Sequence, residues 1–388
     1  MRSRNRVIGA VAASAVIALV AVIIALPVLS DGPMYTRRER LGFAFVTHLD
    51  LPGGYVNQSL SDYAIGPLGA GWYSDWSYGA APDMPADGDV EYAQLVRVGG
   101  VNWPPNWTAI QNAALLTPGA LWLIGNEPEC PNQDAVTPDV YAARYEEAYA
   151  RIKGWDPTAQ IAIGAIVEPT PLRFLWLERA LASYQQQFGV PMPVDVWNIH
   201  IQILSEGADT AEGYDNLAGG GVPVGIDPET EGLTPRQYSL QDCANPQILV
   251  NMIWDFREWM EAHGQRDKPL IISEMGVVQP SEYLGDGATV EERIERGDQL
   301  VEDFIVEVNT FLMNQTDSEV GCPDDENRLV QRWLWFALNT QFFWDNQGMP
   351  HGFNGGLYDP ISKEPTRFGV RFMASIHANR VSVPYVTR

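Results

Sequence analysis

Two glutamates stand where this sequence could put carboxylate chemistry to use. Glu127 closes the run Ala120-Leu-Trp-Leu-Ile-Gly-Asn-Glu-Pro, and Glu274 closes Lys268-Pro-Leu-Ile-Ile-Ser-Glu-Met-Gly. A short apolar run bounded by turn residues reads as a buried strand. Pro128 cannot donate to a ladder, so the first run should end near Glu127. With a side-chain period of two, Glu127 shares a face with Leu121, Leu123 and Gly125, and Glu274 with Leu270 and Ile272. Each carboxylate is therefore expected at the rim of a buried sheet, a costly place for a charge without a task. Carboxyls about 5–5.5 Å apart suit cleavage of a glycosidic bond with retention, and about 6.5–9.5 Å suits inversion through a water. In either case the proton donor needs its pKa raised, which a neighbouring charge provides.

The elements that must position this pair alternate. Strand-like runs fall at 41–46, 70–76, 91–98, 120–127, 161–167, 194–204, 268–275 and 329–338. Helical patterns fall at 109–116, 140–153, 172–188, 248–263, 301–312 and 368–376, with the alternation weaker before residue 120. Eight such strands imply a parallel sheet closed as a (β/α)8 TIM barrel over 41–388, with both glutamates at its C-terminal rim. The stretch 205–245 lacks periodicity, and loops of that length tend to be functional.

Glu127 and Glu274 also carry a resemblance. Gly125-Asn-Glu-Pro ending the fourth strand, with Ser273-Glu-Met-Gly ending the seventh, is similar to clan A of the retaining glycoside hydrolases. Gly356-Leu-Tyr-Asp-Pro-Ile-Ser-Lys-Glu-Pro-Thr resembles the segment after strand eight in that clan, and Trp72-Tyr73 resembles the β-1,3-glucanase-like core of family 128. The resemblance implies that Glu127 is the acid/base, Glu274 the nucleophile, and Asn126 a ligand of the sugar 2-hydroxyl. It also implies an aromatic from strand eight under the reacting sugar, for which Trp335 is the candidate. No metal or organic cofactor is called for.

Further candidates come from the residues themselves. Asn198, His200 and Gln202 share one face of the sixth strand, a polar stripe suited to touching substrate or a glutamate. Trp72, Trp76, Trp103 and Trp107 are expected in loops on the catalytic face, where an aromatic face packs on a sugar. Glu129, Glu168 and Glu206 also follow strands and are substitute acids. Cys130 and Cys243 are expected on the catalytic face and so to form a disulfide, leaving Cys322 free.

Residues 1–30 carry Arg2, Arg4 and Arg6 and then an apolar run from 7 to 29. Such a run spans roughly 30 Å as a helix and reads as a membrane anchor, or as a signal peptide cut near Ser30. The segment 31–40 is a short linker, and the remainder is expected outside the cytoplasm. Taking the leader arginines from 25 basic residues leaves 22 against 49 acids, a net charge near −27. That surface disfavours nucleic acid and suits a neutral polysaccharide. Two further readings stay open: a catalytically inactive carbohydrate-binding scaffold on the same barrel, and a metal-dependent hydrolase, which the sparse histidines disfavour.

Overall fold

A computed structural model describes residues 33–207 and 219–377. The anchor expected at 1–30 lies outside the described residues, among which no helix is long and apolar enough to cross a membrane.

Eight positions around a parallel sheet are filled in chain order: β1 (Leu41–Ala44), β2 (Trp72–Ser74), β3 (Glu91–Tyr92 and Gln94–Val96), β4 (Leu121–Asn126), β5 (Gln160–Ala165), β6 (Trp197–Ile201), β7 (Leu270–Met275) and β8 (Arg332–Trp335). Neighbours pair parallel from β1 through β5 and from β6 through β8, and β8 returns to β1 with Phe43 opposite Trp335. Bridges from Ala162 to Val196 and from Ile166 to Ile199 join β5 to β6, so the sheet closes on itself. Its interior is filled by Leu95, Leu121, Leu123, Ala162, Val196, Ile271 and Leu334, a packed core rather than a pore.

Among the described residues, six helices of ten residues or more cover the outside: α1 (Trp107–Leu116), α2 (Pro138–Trp155), α3 (Pro171–Phe188), α4 (Pro246–Ala262), α5 (Val290–Asn314) and α6 (Arg367–His377). Proline opens α2, α3 and α4, where its missing N–H would have had no partner anyway. Thr289 and Glu292 form a reciprocal cap at the start of α5. No α-helix longer than one turn follows β1 or β2, in keeping with the weak pattern there. A β-hairpin, His48–Leu51 with Gly54–Asn57, follows β1 instead. The connection 77–90 carries Gly79, Pro82, Pro85 and Gly88, which break any helical turn.

Three expectations about side-chain direction need correction. On β7, Leu270 and Ile272 face the helices while Ile271 faces inward. The pairing slips by one residue between Ile272 and Glu274, and this bulge turns both Ser273 and Glu274 to the inside. On β8, Trp333 and Trp335 face outward. The Trp335 ring packs between Phe304 and Phe372, and its N–H donates to the Gly355 carbonyl at 2.7 Å. Trp335 therefore lies under no sugar site. Trp72 opens β2 rather than ending it, and it fills the barrel interior with the Arg332 guanidinium 4.4 Å from its ring centre.

The expected disulfide is absent: Cys130, Cys243 and Cys322 are all free and buried. Cys130 packs at the barrel mouth with Val167 and Leu204, whereas Cys243 packs in the outer core on the helix side of the strands. Each thiol instead donates to a carbonyl, Cys130 to Gly220 and Cys243 to Ser239. Burial pushes both thiols up to about 12, so neither forms a thiolate readily.

Candidate active site

Glu127 and Glu274 both open into one cleft of about 660 Å3 at the C-terminal end of the strands, and they are 7% and 6% exposed. Their backbones reach it differently. Glu127 adopts a left-handed conformation, φ 44°, two residues after Gly125 at φ 106°. This breaks the strand's alternation, so Asn126 and Glu127 both line the cleft. Glu274 arrives through the β7 bulge. Trp76, also lining the cleft, is left-handed too, φ 59°. Such backbone costs of order 1 kcal/mol per residue, and strained positions gather where geometry matters to function.

His200 stands between the two acids. Its Nδ1 lies 3.0 Å from Glu127 Oε1, its Nε2 3.0 Å from Ser273 Oγ and 3.6 Å from Glu274 Oε1. Potential ligand atoms of Glu127, His200 and Glu274 all fall within 4.8 Å of one another. Glu274 accepts from the Trp76 indole N–H, and from Gln202 Nε2 at 3.0 Å. Burial raises the pKa of Glu274, with the Glu127 charge adding and the His200 charge and Trp76 subtracting. Burial acts to lower the pKa of His200, but the Glu274 and Glu127 charges outweigh it and the imidazole is held above its ordinary value. Both ring nitrogens already face protein partners. The trio therefore suits a proton network better than a metal.

Asn126 is fixed by its surroundings. Its backbone N–H donates to Asp134 Oδ2 and its Nδ2 to Gln133 Oε1, while its Oδ1 is buried with no protein partner. Asp134 also holds Arg97 through its other oxygen, and Arg97 lines the cleft. Of the residues singled out in the sequence, Glu127, Glu274, Asn126, His200, Gln202 and Trp76 converge here. Asn198 lies on the same face of β6 but outside the cleft, with both amide atoms buried and unpartnered. Trp103 packs against Trp107, with the Arg144 guanidinium over its ring, and does not line the cleft.

Glu129, Glu168 and Glu206 are fully buried behind the cleft. Arg173 pairs with Glu129 at 3.0 Å and with Glu206, so neither acid is free to act. Sequence reasoning missed Ser273, Arg97, Phe336 and the hairpin wall of Asp50 and Tyr55. The Pro52-Gly53-Gly54 turn between short alternating runs was a hairpin signal. Nothing in the local pattern announced the bulge that brings in Ser273.

No family model and no curated protein matches the sequence. Solved structures do match the fold. An endo-β-1,3-glucanase of glycoside hydrolase family 128, subgroup I, from Amycolatopsis mediterranei, bound to laminarihexaose, aligns with TM-score 0.50 and 16% identity over 86% of this chain and 98% of its own. A subgroup II endo-β-1,3-glucanase from Pseudomonas viridiflava gives 0.51 and 16% over 89% and 98%. A subgroup III curdlan-specific exo-β-1,3-glucanase from Blastomyces gilchristii, bound to glucose, gives 0.50 and 12% over 86% and 97%. The chain shares a mixed α/β fold with these glycoside hydrolases across nearly their whole length.

Proposed function

We propose that this chain is a retaining glycoside hydrolase of β-linked glucan, most concretely a β-1,3-glucanase on a clan A (β/α)8 barrel. The observation that carries the reading is the approach of Glu127 and Glu274 within 4.8 Å at the mouth of one cleft. That separation favours direct attack by a carboxylate over an interposed water. Glu274 is the nucleophile, because two neutral donors, Trp76 and Gln202, stabilise its anionic form without cancelling its charge. Glu127 protonates the departing oxygen, then takes a proton from the water that releases the sugar. His200 touches both acids and positions them. The unpartnered Oδ1 of Asn126 is free to accept the hydroxyl beside the reacting carbon. Both displacements need only these carboxyls and water.

The substrate class follows from the neighbours' fold together with an acidic chain, which favours a neutral polymer over an anionic one. The leader at 1–30 would tether the barrel outside the cytoplasm. A panel of neutral polysaccharides, with the anomer of the first product read by NMR, tests the proposal. Release of the β-anomer from a β-1,3-glucan is expected; release of the α-anomer would end the retaining assignment.

A further inference from the structure

A second cavity, of about 330 Å3, adjoins the catalytic cleft and shares Pro280, Thr340, Phe342 and Phe353 with it as common walls. The volume is at the lower end of ligand-sized clefts, about 300–1,000 Å3. A row of aromatic rings connects the two. Trp76, whose indole N–H is on Glu274, meets Phe336 edge-on with centroids 5.7 Å apart, and Phe336 meets Phe353 at 5.4 Å. Phe353 lies in both cavities. From the shared wall Phe342 meets Trp344, which lines the second cavity alone, with the rings perpendicular at 5.2 Å.

Trp344 is presented rather than buried. It is 39% exposed, and its N–H donates to Glu282 Oε1 at 2.7 Å, which fixes the indole plane. The polar part of the wall offers both donors and acceptors, with Thr340, Gln341 and Asn354 beside the carboxylates. Glu282, Asp298 and Asp359 line it, and Gln341 Oε1 is buried without a partner. Fixed aromatic faces beside hydroxyl acceptors suit a neutral sugar ring, whereas three carboxylates repel an anionic one.

We propose that this cavity is a non-catalytic subsite for a pyranose of the same neutral glucan chain, with Trp344 as its stacking platform and Gln341 as an acceptor for a sugar hydroxyl. The subsite rests on the β-glucan reading and adds to it: the chain held over Glu127 and Glu274 continues past Phe353 into a second binding place. Long chains are then held at two points and short ones at one.

The test uses the full chain carrying Glu274→Gln, titrated calorimetrically with laminarihexaose and laminaritriose, alone and combined with Trp344→Ala or Gln341→Leu. The ratio of hexaose to triose affinity is expected to fall about tenfold with Trp344→Ala, the scale of one aromatic platform at 1.4 kcal/mol per decade. A smaller fall in the same direction is expected with Gln341→Leu, which removes the acceptor and leaves the Trp344 ring in place. Quenching of Trp344 fluorescence by hexaose but not triose, read as the signal lost in Trp344→Ala, is the matching optical result. If the parent binds both sugars and neither substitution alters the ratio, the subsite is refuted while the glucan reading stands. If the parent binds neither, both fall together.

Discussion

Glu127 and Glu129 lie two residues apart after β4, yet they occupy opposite electrostatic worlds. Glu127 opens to the cleft opposite Glu274, with His200 between them. Glu129 is sealed behind it with Glu206 and Glu168 around one guanidinium. Arg173 gives its Nε to Glu129, Nη1 to Glu206, and Nη2 to the carbonyls of Gly220 and Gly221. The front cluster has two neutral donors, one histidine and access to water; the rear one has a permanent cation and no open side. Three buried carboxylates against one arginine leave surplus negative charge. Burial, offset in part by Arg173, pushes Glu168 up to about 8, so it keeps its proton at neutral pH. An acid at a strand end is thus not by itself a catalyst. What sets the proposed pair apart is a second acid within reach and an open side.

Substitutions should separate the two clusters sharply. Glu274→Ala is expected to remove turnover by about 10⁴-fold or more, with the fold unchanged by circular dichroism. Glu127→Ala should cost about 10²- to 10⁴-fold on unactivated glucan, and least on aryl glycosides with acidic leaving groups, in steady-state assays. At the rear, Arg173→Met leaves buried carboxylates without their cation and should lower unfolding free energy by about 3–5 kcal/mol in denaturant titrations.

Smaller effects sharpen the contrast. His200→Gln should lower kcat by about ten- to a hundredfold. It also removes the positive charge that holds Glu274 down, so the acid limb of the pH–rate profile should move to higher pH. Glu168 has a folded pKa, about 8, above its ordinary 4.5. Its stabilising contribution is therefore complete below about 4.5 and is lost as pH rises towards 8. Glu168→Gln should flatten that decline in Tm, measured by calorimetry from pH 5 to 8.5. An unchanged slope would mean that Glu168 is not protonated in the folded chain.

The alternation of elements was legible because buried parallel strands are apolar runs and their connections are not. The polar stripe of His200 and Gln202 was legible for the same reason, since polar residues at alternate positions of an apolar strand mark its inner face. The run Trp333-Leu-Trp-Phe-Ala offers no such marker, being apolar on both faces, so nothing in it signals that Trp335, the candidate implied by the resemblance, faces the helices. At β7 the misreading had another cause. A bulge inserts one residue without changing composition, and the period of two then fails at Ser273 and Glu274. Cys130 and Cys243 were paired by reasoning along the barrel axis. Their separation is radial, inner mouth against outer core, which spacing in the chain does not encode.

The central proposal is that Glu274 is the residue that bonds to the sugar. Incubation of the full chain with an activated 2-deoxy-2-fluoro-β-glucoside or its laminaribioside, then peptide mass spectrometry, tests this most directly. The account predicts one added fluoroglycosyl group, carried by the peptide that contains Ser273-Glu-Met-Gly. A label on the peptide bearing Glu127, Glu129, Glu168 or Glu206, or turnover of β-1,3-glucan with inversion and no label, would contradict it.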